Sequence, residues 1–248
     1  MVSHALRQGG VCTKKFDQGA RQRGQGFVRS VAKYNADQPA AKMTGVCVAL
    51  SAVWIAHHAW DRDFWGWLYG EPMQRHETPE PNKYYERLLA SSGRFIVDVQ
   101  KAYMHEMTVA PPDLSFAQMG KRTGARMARR MIDGFMSQLG IGRHYRGDVS
   151  KSNLSRTASN LASQLAPDRF GGGGCYKELN ITGPGGGHAC AAWVGEDVTY
   201  FDPNYGEFWF PTTTAFRYWF FNYWAASMYP NKAGKFYEIV TYARLRAG

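Results

Sequence analysis

Cys47, His188 and Asp202 are far apart in the chain, but their types and order could build an activated thiol. A thiolate attacks a carbonyl carbon, a neighbouring imidazole takes and returns the proton, and a carboxylate behind the ring sets its tautomer and orientation. Cys47 stands in Thr44-Gly45-Val46-Cys47-Val48-Ala49-Leu50, where a short Gly-containing stretch runs into an apolar segment. His188 follows Gly185-Gly186-Gly187, and Asp202 opens Asp202-Pro203-Asn204-Tyr205-Gly206. The chemistry this set could perform is acyl transfer, provided the elements carrying the residues bring them together.

Each residue alone has a plainer role. A Cys in an apolar helix is usually a small buried hydrophobe. Asp202 before Pro203-Asn204 suits an Asx-turn, and His188 could be a satisfied structural histidine. The case for chemistry rests on their combination. Cys190 is set aside as nucleophile because it falls mid-strand with no helix start to activate it. Cys175 opens a strand, and Cys12 lies in the N-terminal stretch. His57 and His58 are adjacent, so on a helix they point about 100° apart, and no third ligand stands at a metal-site spacing.

The elements that must position the three residues follow from periodicity. Leu50, Val53, Trp54 and His57 recur at helical spacing from Cys47 to about Trp60 with no internal Gly or Pro, and Thr44-Gly45 marks the start. Cys47 then sits at a helix N-terminus, where unpaired amides and the helix dipole favour negative charge and can donate to an oxyanion. Further helices are expected over Tyr84–His105 (interrupted at Ser91-Ser92-Gly93), after Pro111-Pro112-Asp113 through Leu139, and over Ser152–Leu165. After Gly171–Gly174 the texture changes to strands at Cys175–Ile181, His188–Val194, Val198–Asp202 and Glu207–Phe210. Turns fall at Gly195-Glu196-Asp197 and Pro203–Gly206. A Thr-capped aromatic helix then reaches about Met228, and Lys235–Leu245 alternates like a last strand. Helices first, then an antiparallel sheet with one helix inserted, is an α+β order.

The hairpin supplies a geometric test. If Val194 pairs with Val198, Asp202 faces Cys190, and His188 lies on the diagonal at roughly 7–8 Å between backbones, within reach of a His–Asp pair. His188, Cys190 and Asp202 also share one face of the sheet.

Composition narrows the classes. The 248 residues, 44% hydrophobic with eight Trp, fourteen Tyr and fourteen Phe, can bury a sizeable core. Four cysteines without CxxC pairs suggest reduced thiols rather than a disulfide framework or zinc site. No stretch reaches the ~20 apolar residues of a membrane span, and no apolar h-region of a cleavable signal peptide is present. No phosphate-binding loop, dinucleotide fingerprint or EF-hand is found. The net charge of +10 is uneven: residues 1–42 carry eight Lys/Arg against two acids, and 121–156 carry nine against two. These zones would suit an anionic surface, though a merely solvated surface is the plainer reading. Residues 1–40, Gly-rich and poor in apolar side chains, are expected to be a flexible basic arm, with the compact domain at 41–248.

Gly45-Val46-Cys47-Val48-Ala49-Leu50-Ser51-Ala52-Val53-Trp54, Gly187-His188-Ala189 and Tyr200-Phe201-Asp202-Pro203-Asn204-Tyr205-Gly206-Glu207-Phe208 resemble the YopT/AvrPphB-type cysteine protease family of translocated bacterial effectors. The resemblance spans about residues 40–245 in layout. It implies a papain-like fold, with Cys47 as nucleophile, His188 as general base and acid, and Asp202 as its orienter. It also implies no metal or cofactor, and a host protein as substrate. Action is expected in the host cytosol after secretion without a cleavable signal peptide, at an anionic membrane reached by the basic arm and the Arg122–Arg130 helix. No nucleic-acid partner is expected. The chain's own charge argues against a polybasic target. Some members are processed and acylated at a new N-terminal Gly, and Gly9-Gly10-Val11-Cys12-Thr13 fits the loose pattern, as chance alone would in a Gly-rich stretch. An oxyanion side chain is not assigned, Gln38 being the nearest upstream amide. Two alternatives remain: the same triad used for acyl transfer or deamidation, and a catalytically idle lipid- or protein-binding module.

Overall fold

The computed structural model describes residues 2–18, 46–70, 83–109, 123–152, 157–167, 174–183, 186–227, 229 and 236–245. The chain divides into two compact units, Gln18–Gly142 and a discontinuous one made of Met1–Asp17 with Arg143–Gly248.

In Gln18–Gly142 the described elements are helices: α2 (Cys47–Ala59), α3 (Phe64–Tyr69), α4 (Lys83–Ala90), α5 (Ser92–Val109) and α6 (Thr123–Gln138), followed by β2 (Ile141–Arg143), which crosses into the second unit. Helix α2 is apolar around its circumference, as a fully buried helix must be. Leu50, Val53, Trp54 and Ile55 have at most 1% exposure, and α2 packs against α3, α4, α5 and α6. Phe95 of α5 stacks on Phe135 of α6 at 4.1 Å, and the Trp60 indole donates to Leu139 O at 2.9 Å. Helix α3 has no counterpart among the elements expected from periodicity. It is one short turn pair, defined by its ends: Asp63 accepts from Gly66 N, and Gly70 closes it in the left-handed region at φ 71°.

The second unit holds α1 (Val2–Arg7), β1 (Val11–Lys15), β3 (Val149–Ser152), α7 (Ala158–Leu165), β4 (Cys175–Gly183), β5 (Gly186–Val194), β6 (Val198–Asp202), β7 (Gly206–Phe210), α8 (Thr213–Ala226) and β8 (Phe236–Arg244). The strands run in the order β1-β7-β6-β5-β4-β8, with β3 also pairing β8, and every pairing between these strands is antiparallel. One face packs on α7 and α8: Tyr200, Phe208 and Phe210 meet Phe216 and Trp219 with ring centroids 4.9 to 5.7 Å apart. Thr212 and Thr157 cap α8 and α7 through their side chains. The expected α+β order, helices preceding an antiparallel sheet with a helix inserted before the last strand, is therefore present.

Two expectations change. Residues 2–18 were read as part of a flexible arm, but they form α1 and the edge strand β1, paired with β7 from Val11↔Trp209 to Lys15↔Gly206. The pairing is backbone to backbone and needs no apolar periodicity. Residues 19–40 and the boundary near Ala40 lie outside the described residues, as does Gln38. The helix expected from Ser152 starts instead at Ala158, and residues 149–152 are a strand hydrogen-bonded to β8. The unit boundary falls at Gly142/Arg143.

Candidate active site

His188 and Asp202 meet through the register read from the hairpin. The turn Gly195–Asp197 is closed by Gly195 N donating to Asp197 O at 2.9 Å. Asp197 also accepts the indoles of Trp193 and Trp209. Pairing runs Val194↔Val198 to Ala191↔Phe201, which sets Asp202 opposite Cys190 and His188 on the diagonal. At the other end of β6 the tight turn brings Gly206 opposite Asp202, with Tyr205 N donating to Asp202 O. His188 Nε2 lies 2.9 Å from Asp202 Oδ1, the two side chains being 7% and 0% exposed.

A carboxylate sealed from water is costly unless its lone pairs are filled. Asp202 is filled from four directions. Besides His188, it receives the backbone N–H of Asn204 at 2.7 Å, the Tyr223 hydroxyl and the Tyr229 hydroxyl, 2.8 Å from Oδ2. Burial alone would raise its pKa, but the His188 charge and the donated hydrogen bonds hold it below 3.8. Burial likewise opposes an imidazolium at His188, yet Asp202, by charge and hydrogen bond, lifts His188 well above 6.5. Nε2 is thus committed to Asp202, which stabilises the imidazolium that forms when Nδ1, 3.5 Å from Asn204 Nδ2, takes a proton.

Cys190 lies beside this pair, its sulfur within 4.8 Å of both partners' donor atoms. It is fully buried, and burial with the Asp202 charge pushes its thiol up to about 11. At neutral pH it is a protonated, inaccessible thiol and a poor nucleophile. His188, Cys190 and Asp202 are also the group of metal-ligating types that comes together among the described residues. The donors already placed on Asp202 make it a hydrogen-bonded cluster rather than a vacant cation site.

Cys47 belongs to the other unit. It is the first residue of α2, 5% exposed, behind Val46, which offers no capping side chain. The helix-start placement expected for it is therefore observed. His57, ten residues on, is buried against Phe64 and Trp67 at ring-centroid distances of 5.8 and 4.9 Å, and burial with the Arg62 charge drives its pKa down to about 3. It stays neutral, with neither ring nitrogen bonded among the described residues. Of the basic helix, Arg126 and Arg130 are exposed and Arg129 is half-buried, while Arg122 lies outside the described residues.

Tyr223, Tyr229 and the side chain of Asn204 were not singled out from the sequence. The tyrosines lie 21 and 27 residues beyond Asp202, so no local spacing joins them to it. The available signal was chemical: a buried carboxylate demands donors, and the aromatic-rich stretch 216–229 offers tyrosine hydroxyls.

The model of the Peptidase C58 family, described as Yersinia/Haemophilus virulence surface antigen, matches residues 25–244. Cysteine protease YopT of Yersinia pestis is 30% identical over 204 residues, covering 80% of this chain and 56% of that protein, so the chain spans little more than half the length of this relative. The protein adenylyltransferase and cysteine protease IbpA of Histophilus somni is 28% identical over 211 residues, 81% of this chain but 4% of that protein. Among solved structures, the Pseudomonas avirulence protein AvrPphB aligns with a TM-score of 0.47 at 15% identity, covering 80% of this chain and 91% of that one.

Proposed function

Because the chain belongs to the Peptidase C58 family, the Yersinia/Haemophilus virulence surface antigen group, we propose that it is a papain-like cysteine endopeptidase with Cys47 as nucleophile, His188 as base and acid, and Asp202 as orienter. The observation that carries the reading is the His188–Asp202 pair, which commits Nε2 and directs proton exchange to Nδ1. In the proposed cycle the Cys47 thiol gives its proton to Nδ1, and the thiolate adds to the peptide carbonyl carbon. The tetrahedral oxyanion takes hydrogen bonds from amides at the start of α2. Its collapse breaks the C–N bond as His188 returns the proton to the departing amine, leaving a thioester on Cys47. Water then gives a proton to His188 and adds to the thioester. The carboxylate product leaves, and the thiol is restored.

The natural substrate in this reading is a host protein, and the chain acts as a translocated effector in the host cytosol. YopT and IbpA are named as cysteine proteases, which supports a protein substrate. Exposed Arg126 and Arg130 on α6 and a net charge of +10 support contact with an anionic membrane surface.

The test compares new protein termini in host-type cells expressing the chain or its Cys47→Ala form. Termini that appear only with the intact thiol are expected, whereas identical terminal profiles would remove the protease reading. A substrate changed by about one mass unit and left uncut would instead assign the triad to deamidation.

A further inference from the structure

Tyr229 touches both members of the His188–Asp202 pair. Its ring stacks on the imidazole with centroids 4.7 Å apart and planes 15° from parallel. Its hydroxyl lies 2.8 Å from Asp202 Oδ2 and 3.1 Å from Oδ1. The single O–H proton is committed to that carboxylate, so the phenol oxygen can only accept from Asn204 Nδ2, 3.1 Å away. That acceptance fixes which end of the Asn204 amide faces the ring, and the same Nδ2 stands 3.5 Å from His188 Nδ1. Asp202, Tyr229, Asn204 and the imidazole therefore close a polar circuit around His188 that touches both ring nitrogens, while the phenol covers one ring face.

We infer that Tyr229 is a positioning residue for His188, acting through the stack on its ring and through the hydroxyl that holds Asp202 and Asn204; the inference rests on the reading of His188 as the proton-transfer group. Two physical consequences follow. The stack limits rotation of the imidazole, so Nδ1 keeps one direction. The neutral hydroxyl, together with that of Tyr223, draws off part of the carboxylate charge and moderates how firmly Asp202 holds His188 protonated. Of the other titratable groups facing the ring, Cys190 comes from its own strand β5 and is neutral, and Tyr200 and Tyr223 from β6 and α8 are neutral because burial raises their pKa values. Asp202 is the charge that Tyr229 modulates.

The test uses the full chain carrying Tyr229→Phe, which keeps the ring and removes the hydroxyl, and Tyr229→Leu, which removes both. His188 is titrated by NMR in a Cys47→Ala background, and kcat and KM are measured with Cys47 present on a substrate identified from the new termini. Losing one donor to a charged acceptor should move the His188 midpoint up by about half a unit or more and lower kcat about tenfold in Tyr229→Phe, with KM within about twofold. Tyr229→Leu should lower kcat further and broaden the His188 resonance as the ring regains rotation. An unmoved midpoint in folded Tyr229→Phe overturns the inference, as does a moved midpoint with wild-type kcat. If the wild type cleaves nothing, or Cys47→Ala cleaves equally well, the protease reading falls, and the titration alone decides whether Tyr229 positions His188.

Discussion

His57 makes acid stability a quantitative test of the helical unit. Its imidazole is fully buried between Phe64 and Trp67, and its pKa falls from 6.5 to about 3. Between those values the unfolded chain binds a proton on His57 that the folded chain does not. Stability therefore rises with pH across this window and is lost as acid is added. At pH 4 the difference is about 2.5 pKa units for this group, or about 3 kcal/mol. That is a large part of the roughly 5–15 kcal/mol that holds a typical domain folded. The comparison is wild type against His57→Leu, a change of similar volume that also removes two unbonded buried nitrogens. Near pH 7 the variant should lie within about 1.5 kcal/mol of wild type, since lost ring packing is offset by the removed polar burial. Urea unfolding measured from pH 7.5 to 4 should then show wild type losing about 3 kcal/mol more than the variant. Equal losses in the two proteins would refute a neutral, unsatisfied His57, as would an NMR titration showing it charged at pH 5.

Other consequences are more local. Asp202→Asn should cut kcat by about 10²- to 10⁴-fold and bring the His188 titration down toward 6.5, because an amide cannot balance an imidazolium; unchanged turnover would remove Asp202 from the chemistry. Cys190 should resist alkylation at neutral pH in the folded chain and react only after denaturation, as peptide mass mapping would show. Gly206→Ala should cost about 3 kcal/mol in urea unfolding, since φ is 110° and a Cβ there would collide with the Lys14 carbonyl oxygen. Asp197→Ala removes the acceptor of two indoles and should cost a similar amount, about 3 kcal/mol, by the same measurement.

What could be read beforehand, and what could not, depended on where the stabilising contacts lie. The β5–β6 hairpin was legible because its turn residues and the flanking Val194 and Val198 are adjacent in sequence. One assumed pair then determined that Asp202 faces Cys190. Helix α2 was legible because Leu50, Val53, Trp54 and His57 carry its period. By contrast, β1 is an edge strand with Val11, Thr13, Lys14 and Lys15 exposed, so no alternation betrays it. Its place is set by backbone pairing with β7, almost two hundred residues away. Val149–Ser152 is too short to show a period, and it merged in the sequence with the helix that follows. The tyrosines on Asp202 were hidden for a similar reason: Tyr223 stands in the aromatic-rich α8 and Tyr229 beyond its end, and only the fold distinguishes the ring that packs from the hydroxyl that donates.

Two buried histidines, His57 and His188, show how one carboxylate decides charge. Burial opposes the imidazolium in both. His188 has Asp202 at 2.9 Å and is pushed up; His57 has a cation, Arg62, acting on it and is pushed down. The stability linked to His188 is full below 6.5 and is lost as pH rises through its raised value, while that linked to Asp202 is full above 3.8 and is lost only as pH falls through its lowered value. At pH 4.5 the pair is therefore intact while His57 already costs roughly 2–3 kcal/mol. Acid should loosen the helix that carries Cys47 before the strands that carry His188 and Asp202. Amide hydrogen exchange at pH 4.5, corrected for intrinsic rates, should show protection falling in Leu50–His58 while that of Ala189–Val194 and Val198–Phe201 persists. Loss of strand protection first would mean that His188 and Asp202, rather than His57, set the acid limit, and the burial argument for His57 would fail.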